Sequence, residues 1–225
     1  MLAVGQAVDV DAHRFVRVLR ARVGATFTVC DASGVVWEAV VSAIEPFVLE
    51  VVGLAAAPDR NPSVALEVWV PLLKGGRTDD LVRQLTELGV TRIAPYASRH
   101  AVVKLEAGKV ADKHERMRAI VREAGNQCGR TLLPEVLAPI IGIPTISPAG
   151  PAAFLWEGGG APAREVLGQP PAHILIGPEG GLAPEEAEAL VKRGWRATTL
   201  GARILRAETA VVAFAVMALS ALGEL

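Results

Sequence analysis

Residues 173–186 read HILIGPEGGLAPEE, and the order of chemistry along that stretch decides the fold class. His173-Ile174-Leu175-Ile176 is an apolar run of strand length. Pro184-Glu185-Glu186 opens a helix, with proline at its first position and carboxylates where the helix dipole favours them. Between them, Gly177-Pro178-Glu179-Gly180-Gly181 holds three glycines in five positions, which permits backbone angles closed to other residues and lets a ligand approach the main chain. A strand that exits through such a turn into a helix is the repeating unit of an open α/β sheet, and ligands there bind outside the carboxyl ends of the strands. Taken alone, the same letters also spell an ordinary tight βα turn.

The alternation continues in both directions. Residues 64–73 are a nearly continuous apolar strand of the type buried on both faces. Residues 79–88 predict a helix with Leu81, Leu85 and Leu88 on one stripe, stopped by Gly89, and residues 92–97 a second strand. Residues 111–127 predict a longer helix whose core stripe, Met117, Ile120, Val121 and Ala124, ends at Cys128, so that thiol reads as structural. Residues 152–156, 173–176 and 197–200 are short strands, and 184–193 form a helix followed by Gly194. The last helix, 207–222, has no polar face and needs cover on every side, from its own domain or from a second subunit. The whole predicts a largely parallel α/β sheet.

Upstream the pattern is β. Residues 25–30 and 35–44 are strands joined by Asp31-Ala32-Ser33-Gly34, and 47–52 form a third. In HRFVRVLRARVG, Arg14, Arg17 and Arg20 are three residues apart, which on a helix places them opposite Phe15, Val18 and Leu19. Residues 55–63, rich in proline and turn formers, are the best linker, so we expect domains at 1–60 and 61–225.

Composition narrows the class further. Hydrophobic residues make up 51% of the chain and aromatics only 4%, so the core must be mostly Val, Leu, Ile and Ala. The two cysteines, Cys30 and Cys128, lack the spacing of a disulfide framework or zinc site; no metal and a reducing, cytoplasmic compartment are expected. Residues 1–10 show no signal peptide, and the apolar segment 210–222 is shorter than the roughly 20 residues that cross a bilayer. We expect no membrane partner. The net charge is −1, yet residues 74–130 hold twelve Lys and Arg against seven Asp and Glu. A local basic region can steer a phosphate backbone even on a near-neutral protein, although a solvated helix face has the same composition.

The chemistry concentrates in two loops. Neither the GxGxxG of a dinucleotide site nor the GxxxxGK[ST] of a P-loop is present in the right context, and Glu179 would repel a phosphate. A cationic ligand such as a sulfonium tolerates that carboxylate better. The second loop, LGARILRAETA at 200–210, also follows a strand and runs into a helix. Arg203 and Arg206 flank Ile204 and Leu205, an apolar pair suited to a flat ring, while Glu208-Thr209 open the helix. Alone, this segment also reads as a helix entry with surface arginines.

Together, LIGPEGGL (175–182) and LGARILRAETA resemble the C-terminal signature of the RsmE family, the 16S ribosomal RNA uridine-N3 methyltransferases of the SPOUT superfamily. HRFVRVLR, the Lys74, Arg77, Asp79 and TELGV block, Pro95 with Ser98 and Arg99, and Gln127-Cys128-Gly129-Arg130 with Pro134 are similar to its other blocks, so the resemblance covers nearly the whole chain. It implies a small PUA-like β-barrel for RNA binding and a catalytic α/β domain with a deep trefoil knot, assembled as a homodimer through the last helix. It also implies S-adenosylmethionine held among three loops. Here these would supply Trp156 and Glu157, then Ile176, Gly177, Glu179, Gly180 and Gly181, then Leu200, Gly201, Ile204, Leu205, Thr209 and Ala210. The expected reaction is methylation of uridine N3 in 16S RNA of the small ribosomal subunit. Arg206, then Arg203, would stabilise the uracil anion, with Glu208 or water taking the proton. Arg14, Arg17, Arg20, Lys74, Arg77, Arg99 and Arg130 are the expected RNA contacts. The chain departs from the family in lacking a further strand before Val4-Gly5, and in Asn126, Ala183 and Ala202, which replace the usual Glu, Ser and Pro. A non-catalytic RNA-binding or ribosome-assembly protein of the same fold is the alternative reading.

Overall fold

The computed structural model describes residues 2–31, 33–56, 58–145, 147–166 and 173–225, so Ala32 of the expected turn and Ala57 of the expected linker lie outside it. The chain divides into two compact units, Met1–Asn61 with Gly129–Leu132, and Pro62–Cys128 with Leu133–Leu225.

In the first unit, β1 (Thr26–Cys30), β2 (Val36–Ile44) and β3 (Phe47–Leu54) form an antiparallel sheet in that order. Side-chain alternation turns Ala39, Val41 and Leu49 inward, where each is fully buried. Phe15 closes this core against Phe27 and Phe47, with ring centroids at 4.9 and 5.4 Å. The N-terminal segment also runs along β3, through Val8 N–H to Leu49 O and Gly5 N–H to Val51 O, both at 2.8 Å. The β1–β2 turn is organised by Asp31, whose Oδ1 accepts from Ser33 Oγ (2.5 Å) and Ser33 N–H (2.9 Å) and whose Oδ2 accepts from Trp37 Nε1 (3.1 Å). These bonds, that of the Ser33 hydroxyl foremost, hold the Asp31 carboxyl well below the usual carboxylate range.

Two expectations for this unit need correction. The segment 129–132 belongs to it, because Asn61 Oδ1 accepts from Thr131 N–H (3.0 Å) and Leu132 N–H (2.7 Å), and Leu132 lies over Gly34, where an added Cβ would be 2.8 Å from its Cδ2. The arginine stripe does not form. Arg14–Val18 is one wide helical turn closed by Leu19 N–H to Arg14 O (3.0 Å), and Arg20 turns off it at φ 51°. Arg14, Arg17 and Arg20 are all exposed, but Val18 and Leu19 stay outside the core beside them, and only Phe15 enters it.

The second unit is built on one parallel sheet. Its strands are β4 (Glu67–Pro71), β5 (Arg92–Ala97), β6 (Glu135–Val136), β7 (Ile140–Ile141), β8 (Ala152–Leu155), β9 (Ala161–Pro162), β10 (His173–Ile176) and β11 (Arg196–Thr199). They run in the order β6-β5-β4-β10-β8-β11-β9, with β7 also on β5. The apolar runs of β4 and β10 feed both faces, as a doubly covered parallel sheet requires. Val68, Val70, Ile174 and Ile176 pack with α1 (Arg77–Leu88), α2 (Val110–Cys128), α3 (Ala163–Val166) and α5 (Ala207–Ala221). Trp69 and Leu175 pack on the other face with α4 (Pro184–Lys192) through Ala187 and Leu190.

The helix ends follow local chemistry. Gly89, at φ 101°, ends α1 with its N–H on the carbonyls of Leu85 and Thr86. Cys128 is half-buried at the end of α2, its thiol on Gly125 O. At the start of α4, Ala183 adopts N-cap angles (φ −69°, ψ 149°) without a capping side chain, while Glu186 Oε2 accepts from its N–H at 2.9 Å. Ala183→Ser should therefore add a side-chain acceptor for the Glu186 N–H, which now donates to Ala183 O at 2.9 Å, and raise stability by about 0.5–1 kcal/mol in urea titration; an unchanged midpoint would mean that the buried hydroxyl fails to reach the Glu186 N–H. Helix α5 buries Val211, Phe214, Ala215, Ala218 and Leu219 against its own unit, whereas Thr209, Val216 and Ser220 face outward. Its own domain thus covers one side only.

Candidate active site

Strands β10, β8 and β11 are neighbours, and the segments leaving their carboxyl ends converge on one cleft of about 780 Å³. Trp156 and Glu157 follow β8; Ile176, Gly177, Glu179, Gly180 and Gly181 come from the end of β10 and its turn; Leu200, Gly201, Ile204, Leu205 and Ala210 come from the segment after β11. Arg203 and Arg206 line it too. Thr209 is exposed and does not, and Glu208 does not line it either. Wall residues that the sequence reading did not single out include Thr198 and Thr199. They sit at the end of β11, just before the singled-out Leu200 and Gly201.

The shape of the cleft is imposed from outside it. A Cβ on Gly180 would lie 3.0 Å from both Cβ and O of His100, and the His100 ring meets Gly180 O at 3.2 Å. Tyr96, fully buried on β5, donates its hydroxyl to Ile176 O at 2.7 Å and so fixes the last residue before the glycine turn. Burial pushes that hydroxyl well above the ordinary phenol range, and the Glu186 carboxylate adds to the shift, so it remains a donor at working pH. On the third side, a Cβ on Gly160 would stand 2.7 Å from the backbone of Ala197 and Thr198.

Charge is divided across the site. Arg77, on the first turn of α1, donates from Nε to Lys74 O (3.0 Å) and from one terminal nitrogen to Glu179 Oε1 (2.5 Å); the other lies 3.5 Å from Glu208 Oε2. Two carboxylates thus share one guanidinium, and Glu208 Oε2 is buried without a hydrogen bond. Arg203 and Arg206, in contrast, are exposed and have no side-chain hydrogen bond or ion pair among the described residues. Ile204 between them is 85% exposed, an apolar surface open to a planar ligand.

The expected RNA contacts separate. Lys74 is exposed, and Arg99 is exposed with one terminal nitrogen 3.6 Å from Glu185 and its N–H on Glu186 Oε1. Arg77 is committed to Glu179 and Glu208. Arg130 is 6% exposed, which removes it from reach of a phosphate. Among the described residues no cluster of His, Cys, Asp or Glu is placed to hold a metal ion, and no helix is long and apolar enough to cross a membrane.

Residues 59–220, which hold the entire cleft, match the RNA methyltransferase domain family. The chain is 32% identical over 208 residues to the ribosomal RNA small subunit methyltransferase E of Synechocystis, covering 88% of this chain and 67% of that protein. It belongs to the ribosomal RNA small subunit methyltransferase E family. The Bacillus subtilis member is 30% identical, over 74% of this chain and 70% of its own. The Neisseria gonorrhoeae member, solved bound to S-adenosylmethionine, superposes with a TM-score of 0.84 at 29% identity, covering 98% of this chain and 94% of that one. A Legionella pneumophila structure at 24% identity shares the fold with a TM-score of 0.86. As a family member the chain is an RNA methyltransferase, and the matched stretch takes in most of the mixed α/β unit with its parallel sheet.

Proposed function

We propose that the chain transfers the methyl group of S-adenosylmethionine to N3 of a uridine in 16S RNA of the small ribosomal subunit, in the cytoplasm and as a homodimer. The observation that carries this reading is the split charge at the cleft: Glu179 in its wall shares Arg77 with Glu208, while Arg203 and Arg206 on its rim are unpaired among the described residues. The residues fit the methyl donor. Glycine main chain at Gly177 and Gly181, apolar surface from Ile176, Leu200 and Leu205, and net negative charge beside them suit a molecule with an adenine ring and a cationic sulfur. When bound, S-adenosylmethionine supplies an electrophilic methyl group.

The chain's own task is to orient the acceptor and favour its anion. Uracil N3 carries a proton at neutral pH, and on its loss charge spreads to O2 and O4. Arg206 first, and Arg203 with it, face those oxygens, the arrangement in which fixed cations lower a barrier most. Glu208 is held by Arg77, so the proton leaves to water. The base is unstacked to expose N3, and Ile204 supports its ring. Exposed Arg14, Arg17, Arg20, Lys74 and Arg99 contact phosphates. The N-terminal sheet belongs to a PUA-like barrel, the three loops thread a trefoil knot, and the outward side of α5 pairs with its copy. Isothermal titration with S-adenosylhomocysteine tests the cofactor assignment: saturable binding is expected, and its absence would remove the basis of the reading.

A further inference from the structure

Among the described residues, every one lining the cleft comes from position 155 onward except Arg77. That residue lies at the start of α1, behind a turn in which Gly75 and Gly76 adopt φ 69° and 80°. Its side chain reaches across the sequence to the glycine-rich turn after β10 and to the first turn of α5. All three of its nitrogens are engaged, by Lys74 O, Glu179 and Glu208. A phosphate entering here would have to displace a carboxylate or sit beside two of them, so the site is a poor RNA contact despite the basic stretch around it.

Resting on the methyltransferase reading, we infer that Arg77 is a positioning residue for the methyl-donor cleft: its guanidinium holds the carboxylates of Glu179 and Glu208, and with them two of the three walls, in the geometry that receives the donor. Glu179 is one residue from Gly180, which His100 contacts, so the turn is held at two adjacent residues by two separate segments. Glu208 is two residues from Arg206 in the first turn of α5, so the same clamp sets where that arginine projects. Without Arg77 the two carboxylates have no shared cation, turn toward water and release the walls. The cost then falls on ligand binding through lost preorganisation rather than on overall stability, since the three side chains are about one-third exposed and exposed ion pairs stabilise little. A lysine cannot replace the clamp, because a single ammonium does not span three acceptors.

Calorimetric titration of the full chain with S-adenosylmethionine and with S-adenosylhomocysteine, for wild type, Arg77→Ala, Arg77→Lys and Glu179→Gln, tests this. Arg77→Ala is expected to weaken both ligands by about tenfold or more, with Arg77→Lys close to it and thermal unfolding within a few degrees of wild type. Glu179→Gln should weaken both ligands as well, and in the double variant with Arg77→Ala the two losses should not add. RNA affinity and its salt dependence should be unchanged by Arg77→Ala. Wild-type binding with unaltered binding in Arg77→Ala overturns the inference while leaving the methyltransferase reading intact; no binding by wild type overturns that reading itself. Tighter S-adenosylmethionine alone would make Arg77 a mere counter-charge. A salt slope for RNA reduced by about 1 would make it a phosphate contact, and either result refutes the clamp.

Discussion

Arg206→Ala should lower kcat for methylation of small-subunit RNA by a factor of about 10²–10³, the loss typical of removing one fixed group that meets developing charge. Arg206 precedes α5 with extended angles (φ −63°, ψ 149°), its side chain is exposed at the cleft, and no carboxylate among the described residues neutralises it. Its charge is therefore available to the uracil anion at no cost of breaking another pair. Since it is not part of the acid-rich side, the dissociation constant for S-adenosylhomocysteine should stay within about twofold of wild type. Single-turnover methylation alongside calorimetry separates the two effects. A variant with unchanged kcat would move the anion-stabilising role elsewhere, Arg203 being the remaining unpaired cation of the rim.

The second large effect falls on Gly160→Ala. The atoms a methyl would meet at 2.7–2.8 Å are Ala197 C, Ala197 O and Thr198 N, all backbone of β11 and unable to swing aside. Next to this position Thr198 donates its hydroxyl to Ala161 O at 2.8 Å, and β9 pairs with β11 through Ala161 and Thr198. Pushing the two segments apart breaks that pairing and opens one wall of the cleft. We expect a loss of about 1–3 kcal/mol in stability and weaker binding of S-adenosylhomocysteine in whatever folds. Denaturant unfolding with a midpoint equal to wild type would show that the segment after β8 is free to move. At Gly159, which adopts φ 121° with nothing within 4 Å of a would-be Cβ, alanine would cost backbone strain alone and meet no steric block, so the two glycines are distinguishable.

The contrast between these residues marks what the sequence can and cannot express. Strand β10, its glycine turn and α4 are legible because their signals are local: an apolar run, glycines, then proline and glutamates within fourteen residues. Helices α1 and α2 are legible from period alone, with Leu81, Leu85, Met117 and Val121 buried as their spacing predicts. The two-residue strands β6, β7 and β9 are not, since two residues show no period and exist only by pairing with β5 or β11. The arginine stripe at 14–20 fails for a related reason: spacing of three implies a shared face only while the helix continues, and it ends before Arg20. Arg77 shows the limit most clearly. Read with its neighbours it belongs to a basic region; its actual partners are 102 and 131 positions away, brought to it by the sheet. Arg130 errs in the same direction, an arginine whose burial no local pattern announces.

The most direct test is to incubate purified small ribosomal subunits lacking the modification with the protein and methyl-labelled S-adenosylmethionine, then digest the 16S RNA and separate its nucleosides by mass spectrometry. The account predicts label in 3-methyluridine, present with wild type and lost with Arg206→Ala. Label in any other nucleoside, or none in RNA from a preparation that binds S-adenosylhomocysteine, would contradict it.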